Sequence, residues 1–359
     1  MIDTVEVCFG CSACALICPR NAIEMDRDDD GFVKPRLNRQ KCVECGLCRK
    51  VCPSLQRTLL ALENSSCQVG KYSGFSEHSS SGAIAYAISE TAINRGEVVC
   101  GAIYDTEMMA VKHEIVSDLY GLNRVSGSKY LQSNPYTGLK DLLTKPRGIL
   151  FGTPCQIAGF RNVIQHGKLE DAFLLVDIFC HGVPSQLLWT NHLKHLHEKY
   201  GISIHDEVNF RFNGGFNLKV GQYTGEAQID PFYHLYLKRC TYADSCYQCP
   251  FRRRSAADIR LGDYFIEKGN PQSVVFSLTE AGEACIEQLV EQEKVKLRIA
   301  AYADVDRVQD ANVKSVPPIE RRKYLEQLKA GQSPANLMGE GKIFFQYVKG
   351  FIKKLLRKE

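Results

Sequence analysis

Long apolar runs are missing from this chain. None approaches the 18 or so residues that a membrane span needs, and the first residues show no basic stretch leading into an apolar one of the kind that directs export. The expectation is therefore a cytoplasmic protein that neither spans a membrane nor is secreted. An excess of one charge is missing too: 45 basic residues are interspersed with 41 acidic ones for a formal charge of +4, which leaves no electrostatic footprint for nucleic acid. What the chain has in quantity is cysteine, 16 in 359 residues. Where thiols are kept reduced, clustered cysteines indicate metal rather than disulfides. The length and the 44% hydrophobic content allow two or three domains with real cores.

The cysteine spacing is specific. Cys8, Cys11, Cys14 and Cys18, followed by Pro19, form C-x2-C-x2-C-x3-C-P, and Cys42, Cys45, Cys48 and Cys52, followed by Pro53, repeat it 34 positions on. Three closely spaced thiolates wrap one [4Fe-4S] cube, while the fourth, set apart by the proline turn, reaches the other cube. The expected ligand sets are Cys8, Cys11, Cys14 and Cys52 for one cluster and Cys42, Cys45, Cys48 and Cys18 for the other. Zinc sites draw on two separated pairs and fit this pattern poorly. Gly10 and Gly46 permit close backbone approach. Ala22–Met25 and Phe32–Leu37 read as short strands about the turn Asp28-Asp29-Asp30-Gly31, resembling the hairpin of a bacterial-type ferredoxin. The module is expected over residues 1–62, ahead of a polar linker at Glu63–Ser66.

From Gly70 onward short apolar strands alternate with helix-like segments, an α/β pattern. Val98–Ile103, Gly148–Phe151 and Ala172–Phe179 are continuous apolar runs of the kind buried strands show. Ser79, Ser80, Ser81 and Gly82 precede the periodic run Ala83–Ala92, so hydroxyls and free N–H groups gather at a helix start, where an anion such as phosphate is favoured; plain capping is the competing reading.

Four strings follow in order: Gly127–Ser133 (GSKYLQS), Gly152–Gln156 (GTPCQ), Cys180–Pro184 (CHGVP) and Ser245–Cys249 (SCYQC). Together they resemble the beta subunit family of coenzyme F420 hydrogenases and dehydrogenases, over about Tyr72 to Arg321. The family contains flavin and iron–sulfur proteins, so the resemblance implies bound FAD in an α/β body, with an N-terminal-type region at 70–147 and a C-terminal-type region at 148–321. It makes Ser79, Ser80, Ser81, Gly82, Gly127, Ser128, Lys129, Gln132, Ser133, Gly152, Thr153 and Gln156 candidates for the flavin site. Lys129 near the ring would stabilise the anionic reduced flavin, and His181 is a candidate proton relay. Two strings depart from the family pattern: Asp263 leads into Tyr264-Phe265-Ile266 rather than a tryptophan and glycine, and Arg211 into Phe212-Asn213 rather than aspartate and lysine.

Cys155 and Cys180 each follow an expected strand, and Cys246 and Cys249 form a C-x2-C pair. Ligands gather at the carboxyl ends of strands in α/β sheets, so these four are candidates for a third cluster. A redox-active pair or inert buried thiols remain open alternatives. The region 322–359 reads as a basic amphipathic tail, with Phe344, Val348, Phe351, Ile352 and Leu355 at helical spacing, a candidate for peripheral membrane or partner contact. The expected function is an oxidoreductase that couples two-electron chemistry at FAD, with reduced coenzyme F420 or another hydride donor, to one-electron transfer through clusters and on to ferredoxin or another redox protein. An electron-transfer subunit without its own substrate and a reductase of bacterial polysaccharide biosynthesis are the alternatives.

Overall fold

The computed structural model describes residues 2–74, 81–227, 229–265, 270–309, 317 and 319–338. Near the N-terminus, strands β1 (Ile23–Arg27) and β2 (Val33–Leu37) form an antiparallel hairpin in the register Ile23 to Leu37. Its turn is tied by the Asp28 carboxylate, which accepts from the N–H groups of Asp30 and Phe32 at 3.1 and 2.8 Å. The chain then does not run through a loose linker. β3 (Leu60–Ala61) pairs antiparallel with the distant Arg254–Ser255, Leu62 is buried, and β4 begins at Ser66 and runs to Tyr72.

The body is built on β5 (Val98–Asp105), β6 (Ala110–Val116), β7 (Ser133–Asn134), β8 (Gly148–Gly152) and β9 (Phe173–Ile178). It continues through β10 (Val208–Asn209), β11 (Asn217–Val220), β12 (Tyr223–Glu226), β13 (Arg254–Ser255), β14 (Ile259–Tyr264), β15 (Gln272–Ser277) and β16 (Val295–Ile299). Nine of these form one sheet among the described residues, in the order β16-β4-β15-β14-β9-β8-β5-β6-β7. The centre, β14-β9-β8-β5, is parallel, while β15, β4 and β16 on one side and β6 on the other run antiparallel to their neighbours, apart from the short parallel pairing of β6 with β7.

The continuous apolar runs are explained by burial on both faces. Ile149 and Val176 join Ile84, Ile88, Ile259 and Ile286 beneath the helices Ile84–Asn94 and Glu280–Glu291. Their neighbours Leu150 and Leu175 face the opposite layer, against Leu139, Ile157 and Phe160 of the helices Tyr136–Leu142 and Pro154–Gly167. Each such fully buried side chain contributes about 1.5–3 kcal/mol.

Between β9 and β14 the chain makes an aromatic-rich lobe in which Trp189, Phe210, Phe232 and Tyr233 are fully or nearly fully buried. Residues Arg321–Lys329 and Pro334–Met338, the first part of the region read as a tail, are helices whose Leu328 and Met338 enter that lobe's core. The periodic stretch 342–359 and Ser79, Ser80 and Ile266 lie outside the described residues. No helix among the described residues is long and apolar enough to cross a membrane.

Candidate functional site

The repeated cysteine motif is also a repeated backbone. In the first copy Gly10 and Ser12 adopt left-handed φ values of 69° and 66°; at the equivalent positions of the second, Glu44 and Gly46 do so at 52° and 75°. Each half therefore turns sharply between its cysteines. Gly10 is needed twice over, because a Cβ there would lie 2.6 Å from the Val33 carbonyl; one at Gly46 would meet nothing within 4 Å. The close-approach expectation thus holds at Gly10, whereas Gly46 answers only a conformational need.

The thiols of the two motifs lie close enough to interact. As thiolates Cys8, Cys11 and Cys52 would repel one another and Cys14, while Cys48 would feel Cys45, Cys18 and Cys42; Cys14 would also feel Cys48 of the other set. Burial pushes the Cys11 thiol up to about 12 and raises Cys8, Cys14 and Cys48. Such thiols ionise only against the charge of a metal. Donors fit a bound cluster: the Ala22 N–H points at Cys18 Sγ at 3.3 Å, and Ser12, fully buried between Cys11 and Cys14, has a hydroxyl without a partner in the protein. Among the described residues no three His, Cys, Asp or Glu side chains converge tightly enough for a single metal ion; a four-iron cube spreads its thiolates wider than one tetrahedral ion does.

The two sets differ in setting. Cys11, Cys14 and Cys52 are buried, whereas Cys45 is exposed and Cys42 and Cys48 partly so. The buried set faces the body, and the packing is close: a Cβ on Gly159, in the helix Pro154–Gly167, would lie 2.7 Å from Cys11 Sγ. Hydrogen bonds stitch the seam. Gln132 Oε1 accepts from Val33 N–H at 2.7 Å, Asn134 Nδ2 donates to the Met25 carbonyl at 3.1 Å, and Asn162 Nδ2 donates to the Val51 and Gln56 carbonyls at 3.1 and 2.7 Å. Phe9, next to Cys8, meets Phe251, two residues after Cys249, edge to face at 5.2 Å.

Across that seam Cys155, Cys180, Cys246 and Cys249 line one cavity together with Phe9 and Phe251. Cys155 would feel Cys249, Cys180 and Cys246 as thiolates, and Cys246 would feel Cys180 and Cys249. Burial is the first cause of their raised thiol pKa values, to about 11 for Cys180 and about 12 for Cys246.

A buried ion pair fixes this arrangement. Arg260 on β14 grips Asp177 on β9 through Nε to Oδ1 at 2.7 Å and Nη2 to Oδ2 at 2.6 Å. Ser255 Oγ adds a 2.6 Å bond to Oδ2. The rest of the guanidinium donates to the carbonyls of Phe251, Arg252 and Arg254 at 3.0, 3.3 and 3.1 Å, and its plane lies over Phe179. One residue pair thereby ties the loop after Cys249 to the strand that ends before Cys180. A lone charge inside the apolar run Ala172–Phe179 was the available signal for it, since a buried carboxylate demands a partner.

The flavin candidates sit along the edge where the parallel strands end. Gly152 closes β8, and Gly82 lies against Gly70 of β4 and Ser273 of β15. Ser81 Oγ is 3.1 Å from Ser273 Oγ. Gln132, Ser133 and Gln156 are buried with protein partners: Gln156 Nε2 donates to Ser133 Oγ at 2.8 Å and Gln156 Oε1 accepts from Thr153 N–H at 2.9 Å. His181 is exposed at the mouth of the cysteine-lined cavity.

Lys129 Nζ donates to the Arg124 and Ser126 carbonyls at 3.1 and 2.7 Å. Part of its surface remains open, yet enough protein surrounds the amine that desolvation lowers its pKa to about 7. Nearby His113, held neutral by burial with its pKa at about 4, bonds the Phe151 carbonyl through Nε2 at 3.1 Å and has an unpartnered Nδ1. Tyr130 OH and Asp263 both take Arg211 Nη1 at 2.9 Å, and the guanidinium lies over Phe216 and Phe265. Asp263 is therefore an ion-pair partner at the end of β14. Asp258 holds Arg161 at 2.7 Å and the Leu175 N–H at 2.7 Å.

Comparison with known proteins agrees with this geometry. Residues 7–55 match the 4Fe-4S dicluster domain family, and residues 147–301 match the family that describes the C terminus of the coenzyme F420 hydrogenase/dehydrogenase beta subunit. An uncharacterized polyferredoxin-like protein of Methanocaldococcus jannaschii is 43% identical over 56 residues, covering 13% of this chain and about a third (33%) of that protein. A chain of the F420-reducing [NiFe] hydrogenase complex from Methanosarcina barkeri superposes with a TM-score of 0.51 at 14% identity, over 75% of this chain and 92% of that one, which shows a shared fold. Two segments of the chain thus match known families: residues 7–55 a 4Fe-4S dicluster domain, which supports two [4Fe-4S] clusters, and residues 147–301 the C terminus of the coenzyme F420 hydrogenase/dehydrogenase beta subunit, to which this part of the chain is related.

Proposed function

We propose that the protein converts between two-electron and one-electron transfer, with FAD seated on the sheet edge lined by Gly82, Gly127–Lys129 and Gly152–Thr153, and a third [4Fe-4S] cluster on Cys155, Cys180, Cys246 and Cys249. FAD supplies hydride chemistry and the clusters carry single electrons. The carrying observation is the convergence of those four cysteines, from three separate segments of the chain, on a cavity that touches both the N-terminal module and the flavin candidates. Phe9 and Phe251 make that contact, and the Asp177–Arg260 pair holds it. Reduced coenzyme F420 is the proposed hydride donor, by relationship with the family. The test is anaerobically purified protein: released FAD, and bleaching of the visible spectrum by reduced F420. A preparation replete in iron but without flavin would leave an electron carrier with no substrate of its own.

Lys129 gives this reading a pH signature. With an amine pKa near 7 the charge is present below neutrality and lost above it, and an anionic reduced flavin nearby would pull that pKa upward. The flavin is thus easier to reduce on the acid side, beyond the ordinary proton dependence. Lys129→Met is expected to lower the flavin midpoint potential at pH 6, where tenfold weaker preference for the reduced form is about 30 mV, and to change it little at pH 10. Equal shifts at both pH values would place the lysine away from the ring.

A further inference from the structure

The two copies of the cysteine motif agree in spacing and backbone but not in charge. Residues 5–17, around Cys8, Cys11 and Cys14, contain no lysine or arginine, whereas residues 39–50 carry Arg39, Lys41, Arg49 and Lys50 against Glu44 alone. Arg39 is taken by Asp3, and Arg49 Nη1 donates to Thr4 Oγ1 at 3.2 Å. Arg20, Lys41 and Lys50 are exposed and meet no carboxylate among the described residues. All three flank ligands of the same set: Arg20 lies two residues after Cys18, Lys41 directly before Cys42 and Lys50 two after Cys48. Beside them Val43 is 58% exposed, next but one to the exposed Cys45.

Both copies have the same task of wrapping a cube, so cluster binding does not explain why only one is basic. What separates them is position: the copy without basic residues, whose one charge is Glu6, faces the body and the basic copy faces solvent. Resting on the two-cluster reading, we infer that this surface, Arg20, Lys41 and Lys50 around Val43 and Cys45, docks a small acidic protein that carries single electrons. Contacts of that kind are small and short-lived, and charge complementarity governs how fast they form more than how tightly they hold. An exposed apolar side chain next but one in sequence to the exposed Cys45, on a segment that carries these basic residues, suits a contact that brings a partner's own redox centre within reach of this cluster.

The test uses the full chain, purified without oxygen and assayed for iron. Association is followed by surface plasmon resonance with an acidic two-[4Fe-4S] ferredoxin as probe and a basic cytochrome c as control. Arg20→Glu, Lys41→Glu and Lys50→Glu combined are expected to slow ferredoxin association at low salt by roughly tenfold or more. Raised salt should produce the same loss in the wild type, and the control should associate faster with the variant than with the wild type. The milder Gln triple, a guard against failed cluster loading, should fall between. Ferredoxin association that ignores both charge and salt overturns the docking surface, as does ultracentrifugation showing that a second copy of the chain covers it. An iron-poor wild type fails earlier, at the cluster reading itself; an iron-replete wild type that ignores ferredoxin fails only here.

Discussion

Replacing Asp177 with asparagine is expected to cost about 3–5 kcal/mol, because it strands a buried guanidinium. The side chains of Arg260 and Asp177 are 1% and 0% exposed, so neither can recover its loss from water. Against a total stability of about 5–15 kcal/mol this is a large fraction. Arg260→Met fails differently. It removes the donor that the Phe251, Arg252 and Arg254 carbonyls share, each left at about 1–3 kcal/mol if unsatisfied, and it frees the loop that follows Cys249. Iron should then fall by about a third, from the body alone, with the N-terminal pair of clusters retained. Anaerobic denaturant titration and iron analysis measure the two effects. A midpoint for Asp177→Asn equal to that of the wild type would show that the pair braces nothing.

How much of this could be read from the sequence depended on whether the signal was local. The N-terminal module was legible as a two-cluster domain, because its cysteines are spaced within a few residues and the copy 34 positions on repeats the spacing. Cys155, Cys180, Cys246 and Cys249 could be singled out because none falls within an apolar run, although Cys155 and Cys246 prove to lie in the helices Pro154–Gly167 and Asp244–Tyr247 rather than in turns. That they share one cavity depends on how three separate segments of the chain pack. The strands Val98–Asp105, Gly148–Gly152 and Phe173–Ile178 announced themselves as apolar runs, but the antiparallel additions β15, β4 and β16 carry no pattern that reveals their partners. Pairing of Leu60–Ala61 with Arg254–Ser255 spans most of the chain, and no two-residue strand signals that. Gln132 shows the same limit: in its string it reads as a cofactor contact, yet its side-chain amide oxygen accepts from the Val33 N–H and joins the module to the body.

Cysteine chemistry supplies the other large effect. Cys249→Ser is expected to lower iron from about twelve to about eight per chain and to stop electrons entering at the flavin from reaching the N-terminal clusters. The chain offers its own controls. Cys100 and Cys240 are buried in the cores and Cys285 lies among apolar neighbours, so Cys240→Ser or Cys285→Ser should leave the iron unchanged. Phe251→Leu is subtler: it keeps the loop apolar while removing the edge-to-face contact with Phe9, so iron content should hold while electron passage across the seam slows. Rapid-mixing bleaching, read separately for flavin and clusters, distinguishes these cases. About eight irons in the wild type, or about twelve in Cys249→Ser, would remove the third cluster. The seam between Phe9 and Phe251 would then have to pass electrons from flavin to module directly, and Phe251→Leu would become the most damaging of these substitutions to transfer.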